Sequence, residues 1–164
     1  ELLARQMGLP LASNVTPERL KNWFERTRTG DGFCDTVGCL LRTAEGKLYA
    51  GTSTGGRGNE FPGRVSDSAT VAGTYCTEFA AVSATGTGEE IVDDAVAARL
   101  EARRRDGLTL SEASARAFGE AREKGRGYGW IALDREGFWV AAYTTKAMSF
   151  VVASSGDVDV AGSA

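Results

Sequence analysis

The chain has 164 residues, 42% apolar and 25% charged, the balance of an ordinary soluble globular domain and not of a disordered tail. Its 19 basic and 22 acidic side chains leave a net charge of −3, which offers no basic footprint for nucleic acid. Histidine is absent, so acid–base chemistry falls to a carboxylate, a lysine, a thiol or an amine, and the commonest zinc ligand is missing.

In chain order, residues 1–9 read as the end of a helix, with Gly8 as its stop and Pro10 just beyond. The same stretch, broken by Arg5, Gln6 and Pro10, does not read as a signal peptide. No apolar run in the chain approaches the ~20 residues a membrane span needs. The chain begins at Glu1 without a Met, which reads as part of a longer gene product. Thr16 and Pro17 start a helix in which Leu20, Trp23, Phe24 and Thr27 form one stripe. Residues 29–33 read as an exposed linker around Gly30 and Gly32.

At Thr36 the texture changes. Residues 36–42 and 48–53 read as two strands of a hairpin about the turn Ala44-Glu45-Gly46-Lys47. Residues 55–68 hold four glycines and a proline, too loose for a helix or a central strand. A third strand is expected over 74–85, then a helix over 89–105 with Ile91, Ala95, Ala98 and Leu100 inward. A second helix follows over 111–124, capped by Thr109 or Ser111. Strands return at 128–133, 138–144 and 147–154, with a turn at Asp134-Arg135-Glu136-Gly137. Segregated strands and helices argue for α+β layers and against an alternating parallel sheet. The organisation is then a helix and linker over 1–35, a main domain over 36–156, and a tail over 157–164. Arg103, Arg104 and Arg105 read as a solvated helix end. Cys34, Cys39 and Cys76 are odd in number and lack CxxC spacing, which points to reduced thiols in a cytoplasm; Cys39 and Cys76 are expected as small buried residues.

Four polar stations lie in or beside glycine: Asp35-Thr36-Val37-Gly38, Thr52-Ser53-Thr54-Gly55-Gly56, Gly63-Arg64-Val65-Ser66-Asp67 and Thr85-Gly86-Thr87-Gly88-Glu89. Taken singly, each has an ordinary reading as strand, turn or helix cap. Together they suggest more. A hydroxyl nucleophile without histidine needs another base, and a threonine that becomes N-terminal supplies one in its own α-amine. That requires scission before Thr36, where linker gives way to strand.

These motifs, in this order, resemble the β-subunit of the N-terminal-nucleophile hydrolases of the plant-type (type 2) asparaginase, isoaspartyl peptidase and glycosylasparaginase family. The resemblance implies an αββα sandwich, antiparallel sheets between helix layers, of which this chain supplies about half; residues 1–35 match only the tail of the α-subunit. It also implies an enzyme that cuts itself between Asp35 and Thr36. The enzyme would then cleave the side-chain amide of L-asparagine or a β-aspartyl peptide through an ester on Thr36. By resemblance Thr54 hydrogen-bonds the nucleophile, while Arg64 and Asp67 grip the α-carboxylate and α-amine. Thr85 and Gly86 match the oxyanion hole, and Gly88 leaves its backbone free to approach the substrate amine.

No cofactor and no metal ligand set is implied. The partners expected are a small-molecule or peptide substrate and a second copy or a separate α-subunit covering an apolar face, with no nucleic acid and no membrane. Asp35 before the scissile threonine makes glycosylasparaginase a rival. Cys34 at the cleavage flank, where the family often has histidine, keeps a non-cleaving binding or assembly subunit as another. Lys146-Ala147-Met148 departs from the glycine these asparaginases usually carry before Met. Glu89 is read as starting its helix and not as a base.

Overall fold

A computed structural model describes Gln6, Gly8, Thr16–Glu18, Leu20, Lys21, Phe24, residues 36–56, Glu60, Phe61 and 63–154, and the backbone of 157–162. The chain divides into two compact units, residues 1–33 with 57–59, and residues 34–56 with 60–164. In the first, Pro17, Glu18, Leu20, Lys21 and Phe24 are helical, and the Leu20 N–H donates to Thr16 O at 2.9 Å. Asp35, Cys34, Trp23 and Thr27 lie outside the described residues.

The second unit opens with β1 (Thr36–Arg42) and β2 (Leu48–Thr54), an antiparallel hairpin that pairs Thr36 with Thr54 and Arg42 with Leu48. Gly46, at φ 80°, makes its turn. The expected single strand over 74–85 is two strands: β3 (Thr74–Cys76) and β4 (Ala80–Gly86) pair antiparallel. The reversal falls where the Thr77 N–H donates to Ala80 O and the Thr77 hydroxyl accepts from the Phe79 N–H. The expected helix over 89–105 is likewise two, α1 (Gly88–Asp94) and α2 (Val96–Arg105), separated by Ala95 in the left-handed region at φ 47°. That break rotates the buried stripe, so Val96 and Ala97 are buried where Ala95 and Ala98 were expected. The next helix, α3 (Leu110–Glu123), is capped by Thr109 in a reciprocal box with Glu112.

Strands β5 (Tyr128–Asp134) and β6 (Trp139–Tyr143) complete a four-stranded sheet of order β3-β4-β5-β6. Residues 157–162, expected as a tail, form β8 (Asp157–Gly162) against β7 (Ser149–Ser154). Among the described residues the strands thus make three antiparallel sheets. Helices and antiparallel sheets are segregated along the chain, as α+β predicts. None of the described helices is long and apolar enough to cross a membrane.

One face of the four-stranded sheet packs on the helices. Val82 and Trp130 meet Leu100 and Leu110 in the core, all at 2% exposure or less; burying each such side chain contributes about 1.5–3 kcal/mol. The opposite face carries the hairpin, with Gly38 seated against Ser83 and Ile131. Burial on both faces explains why β4 shows no apolar–polar alternation. The hairpin does alternate, and its outer residues Val37, Leu41 and Tyr49 are more than half exposed. Cys39 shares their side of the pleat and is exposed, contrary to the expectation of burial, while Cys76 is partly buried.

The arginine run is no solvated helix end. Arg103 donates to both carboxylate oxygens of Glu120 at 2.7 Å, and Arg104 reaches Asp134 and Glu136. These bonds tie α2 to α3 and to the β5–β6 turn.

Candidate active site

Thr36 begins β1, and its hydroxyl donates across the hairpin to Thr54 Oγ1 at 3.3 Å. Thr54 Oγ1 also accepts from the Gly56 N–H at 3.1 Å, so the loop after β2 turns over this hydroxyl pair. The seat of the hairpin sets its direction. Gly38 lies on Ser83 and Ile131, while Arg42, farther along β1, donates from Nε to Arg135 O at 2.5 Å beyond the end of β5. Strand β1 therefore runs along β5 and against β4. Two residues back from Gly38, Thr36 is carried toward the Thr85–Gly129 pair.

Gly86 ends β4 at φ 134°, where an added Cβ would stand 2.5 Å from both Gly127 O and Tyr128 Cα. Only glycine fits this backbone. Thr85 and Gly86 are partly buried, and the next residue, Thr87, donates its N–H to Gly127 O and sits at the N-cap of α1 without a side-chain capping bond.

Arg64 and Asp67 come from the glycine-rich segment. Asp67 is 7% exposed and opens a short 3₁₀ turn, Asp67–Ala69. Its Oδ1 accepts from Ser66 Oγ at 3.0 Å, and Ser66 Oγ accepts from Arg64 Nη2 at 3.3 Å, so one serine links the two. The Arg64 guanidinium is already paired, Nη1 with Glu60 Oε1 at 2.7 Å and Nη2 with Glu89 Oε1 at 2.6 Å. The bond to Glu89, with Glu60 and Asp67 nearby, raises the Arg64 pKa further above its ordinary value. Gly88 is buried, and the space a Cβ would take there is filled by Ser66 Oγ at 2.0 Å and Asp67 Oδ1 at 2.7 Å. The missing side chain at Gly88 thus makes room for Ser66 and Asp67. Of the expected site residues, Asp35 alone lies outside the described part.

Three features escaped the sequence reading. The pairing of Glu60 and Glu89 with Arg64 spans 4 and 25 residues, and of the two only the i,i+4 pair leaves a trace in sequence. The third is a hydroxyl chain under the hairpin: Thr52 Oγ1 lies 2.7 Å from Ser83 Oγ and 2.5 Å from Thr74 Oγ1. Among the described residues no group of three or more cysteines and carboxylates is arranged to hold a metal ion. A cleft of about 600 Å³ lies elsewhere, walled by Leu40, Ile131, Leu133, Val140, Phe150 and Val152, and among its described lining residues only Gly38 belongs to the four polar stations.

A profile of the asparaginase family matches residues 1–161, nearly the whole chain. The chain belongs to this family. It is thereby a type 2 asparaginase-family member of the N-terminal-nucleophile hydrolases. The isoaspartyl peptidase/L-asparaginase of a Nostoc species is 42% identical over 153 residues, which is 82% of this chain and 48% of that protein. The human isoaspartyl peptidase/L-asparaginase is 37% identical over 167 residues, 93% of this chain and 54% of that protein. The Escherichia coli isoaspartyl peptidase is 41% identical over 132 residues, 77% of this chain and 41% of that protein. This asparaginase-family chain spans about half the length of the curated relatives it matches.

Proposed function

We propose that the chain is the catalytic β-subunit-like part of an amidohydrolase that releases aspartate from L-asparagine or β-aspartyl peptides. The observation that carries this is the Thr36–Thr54 hydroxyl pair at the head of β1, a strand seated through Gly38 on Ser83 of β4. The names of the Nostoc and human relatives support the substrate class.

The mechanism has two stages. In the first, the Thr36 hydroxyl attacks the Asp35 carbonyl, the Asp35–Thr36 peptide becomes an ester, and water hydrolyses it to leave a free α-amine on Thr36. In the second, that amine takes the Thr36 hydroxyl proton, its ordinary pKa of ~8 suiting it to this near neutral pH. The oxygen attacks the side-chain amide carbonyl of the substrate. The charge that develops on the carbonyl oxygen is met by the Thr85 hydroxyl and the Gly86 N–H. The proton passes to the leaving nitrogen, ammonia or an amine departs, and water hydrolyses the β-aspartyl ester. Arg64 holds the substrate carboxylate and Asp67 its ammonium, while the glycine at position 88 keeps the space that Ser66 and Asp67 occupy.

The exposed apolar residues of the hairpin, Val37, Leu41 and Tyr49, support a covering partner, which we read as a separate α-subunit or a second copy. The same face favours the rival reading, an assembly subunit that does not cleave itself. Thr36→Ala decides between them. The amidohydrolase reading expects intact-mass analysis of the wild type to give two fragments split before Thr36. The variant should stay whole and lose ammonia and aspartate release by at least ~10³-fold. Turnover surviving in Thr36→Ala overturns the assignment. A wild-type chain that stays whole and inert after long incubation favours the assembly subunit. Comparing asparagine, a β-aspartyl dipeptide and a glycosylated asparagine separates the glycosylasparaginase variant of the reading.

A further inference from the structure

Arg64 is already paired with two carboxylates of its own chain, and the geometry of a guanidinium says what that costs a ligand. A carboxylate grips arginine through two parallel N–H bonds, either end-on over Nη1 and Nη2 or side-on over Nε and Nη2. Both forks use Nη2. Here Nη2 lies 2.6 Å from Glu89 Oε1 and 3.3 Å from Ser66 Oγ, so its two hydrogens have partners, while Nη1 lies 2.7 Å from Glu60 Oε1.

An incoming carboxylate has to free an Nη2 hydrogen. Releasing Ser66 breaks the link to Asp67, which the Ser66 hydroxyl donates to at 3.0 Å. Releasing Glu89 leaves that link in place. The Glu89 side chain is 57% exposed, against 25% for Glu60, so water competes for its carboxylate more than for that of Glu60.

We propose that Glu89 is an internal competitor for the carboxylate clamp of Arg64, with Glu60 as its weaker assistant, so that substrate carboxylate binds only as Glu89 leaves. The inference rests on Arg64 gripping the substrate carboxylate, as in the function proposed above. It makes Glu89 a specificity determinant. Glu60, Glu89 and Asp67 stand around one guanidinium, which disfavours ligands whose only charge is a carboxylate and admits those that also bring an ammonium to Asp67. A brace role for Glu89, holding Arg64 in place for the ligand, predicts the opposite effect of its removal.

Calorimetric titration of L-aspartate, the product, into the full wild-type chain, Glu89→Gln and Glu60→Gln separates the two. Competition expects Glu89→Gln to tighten L-aspartate at least about fivefold and Glu60→Gln to tighten it less. L-Aspartic acid α-amide, which lacks the α-carboxylate, should change less than about twofold. Equal or weaker L-aspartate binding in Glu89→Gln, or equal tightening of the amide, overturns the inference. Should the glutamine variant fail to fold, Glu89→Ala carries the same expectation. Hydrolysis assays on the same wild-type preparation test the enzymatic reading apart from this one. Tightened binding in a chain that turns nothing over keeps the competitor and removes the reaction, whereas no L-aspartate binding in any variant overturns both.

Discussion

Gly88 begins the helix that carries Glu89, and a Cβ on it would meet Ser66 Oγ at 2.0 Å and Asp67 Oδ1 at 2.7 Å. Both are side-chain ends, so the chain would still fold around an alanine, at the expense of their positions. Gly88→Ala is expected to push Asp67 out of place and raise KM for L-asparagine about tenfold or more, with a smaller change in kcat. Adding Ser66→Gly removes the closer clash and should restore part of the loss. A KM unmoved by Gly88→Ala in steady-state assays would mean that Asp67 does not hold the substrate. At this scale the sequence was informative about which residues to bring together: the Thr36 and Thr54 hydroxyls meet, and Gly86 has a backbone that only glycine fits. It was silent about Glu89, because a surface glutamate looks the same whether or not an arginine faces it, and it held only the i,i+4 spacing as a trace of Glu60.

The hairpin reaches the sheet through Gly38, whose added Cβ would lie 2.3 Å from Ser83 Oγ and 2.8 Å from Ser83 Cβ. The second of these atoms is next to the backbone and does not rotate away. Gly38→Ala should therefore lift β1 from β4 and destabilise the fold by about 1–3 kcal/mol. That corresponds to a fall in Tm of about 2–4 °C per kcal/mol for a chain of this size. A Ser83→Gly partner substitution should recover part of it, since it removes both clashing atoms. Thermal unfolding of the three variants checks this, and an unchanged Tm in Gly38→Ala would refute the close seating. The break between α1 and α2 belongs to the same scale. Ala95 at φ 47° has no sequence signal, because alanine is the best helix former and glycine the usual residue there. What pays for the turn is packing: the Ala97 and Ala98 N–H groups donate to Ala72 O and Val71 O, outside their own helix.

Across the whole molecule, one buried carboxylate joins distant parts of the chain. Asp94, 4% exposed at the end of α1, accepts from Lys124 Nζ at 2.5 Å, Arg126 Nε at 3.1 Å and Tyr128 Oη at 2.9 Å. Burial works to raise its pKa, but these donors outweigh burial and hold it below the ordinary range. A depressed carboxylate stabilises the fold above its unfolded pKa of ~3.9, and the contribution fades as pH falls through the lower folded value. Asp94→Asn should thus cost about 2–4 kcal/mol at neutral pH. The gap in Tm between wild type and variant should close below about pH 4. A gap that is constant from neutral to acid pH would show that the charge of Asp94 contributes nothing. Tyr128 also gains from this tie: burial and the Asp94 carboxylate push its hydroxyl well above the ordinary tyrosine range. Since Tyr128 pairs with Gly86 between β5 and β4, the same network steadies the backbone proposed as the oxyanion hole.

The residues themselves determined the hairpin over 36–53, a hydroxyl cap at Thr109 or Ser111 and the Asp134–Gly137 turn, because each rests on neighbours a few positions apart, and the structure selects Thr109 as the cap. The ordered motifs determined the family, since four of them in one order are far more specific than any one. Tertiary structure alone decided that 74–85 reverses direction, that 88–105 is two helices, and that Arg103 and Arg104 bind acids instead of water. It also decided that Arg64 is occupied by Glu60 and Glu89. The break between α1 and α2 and the pairing of Arg103, Arg104 and Arg64 with Glu120, Asp134 and Glu89 depend on atoms that arrive from far along the chain, and local propensity carries no record of what a fold will bring alongside it.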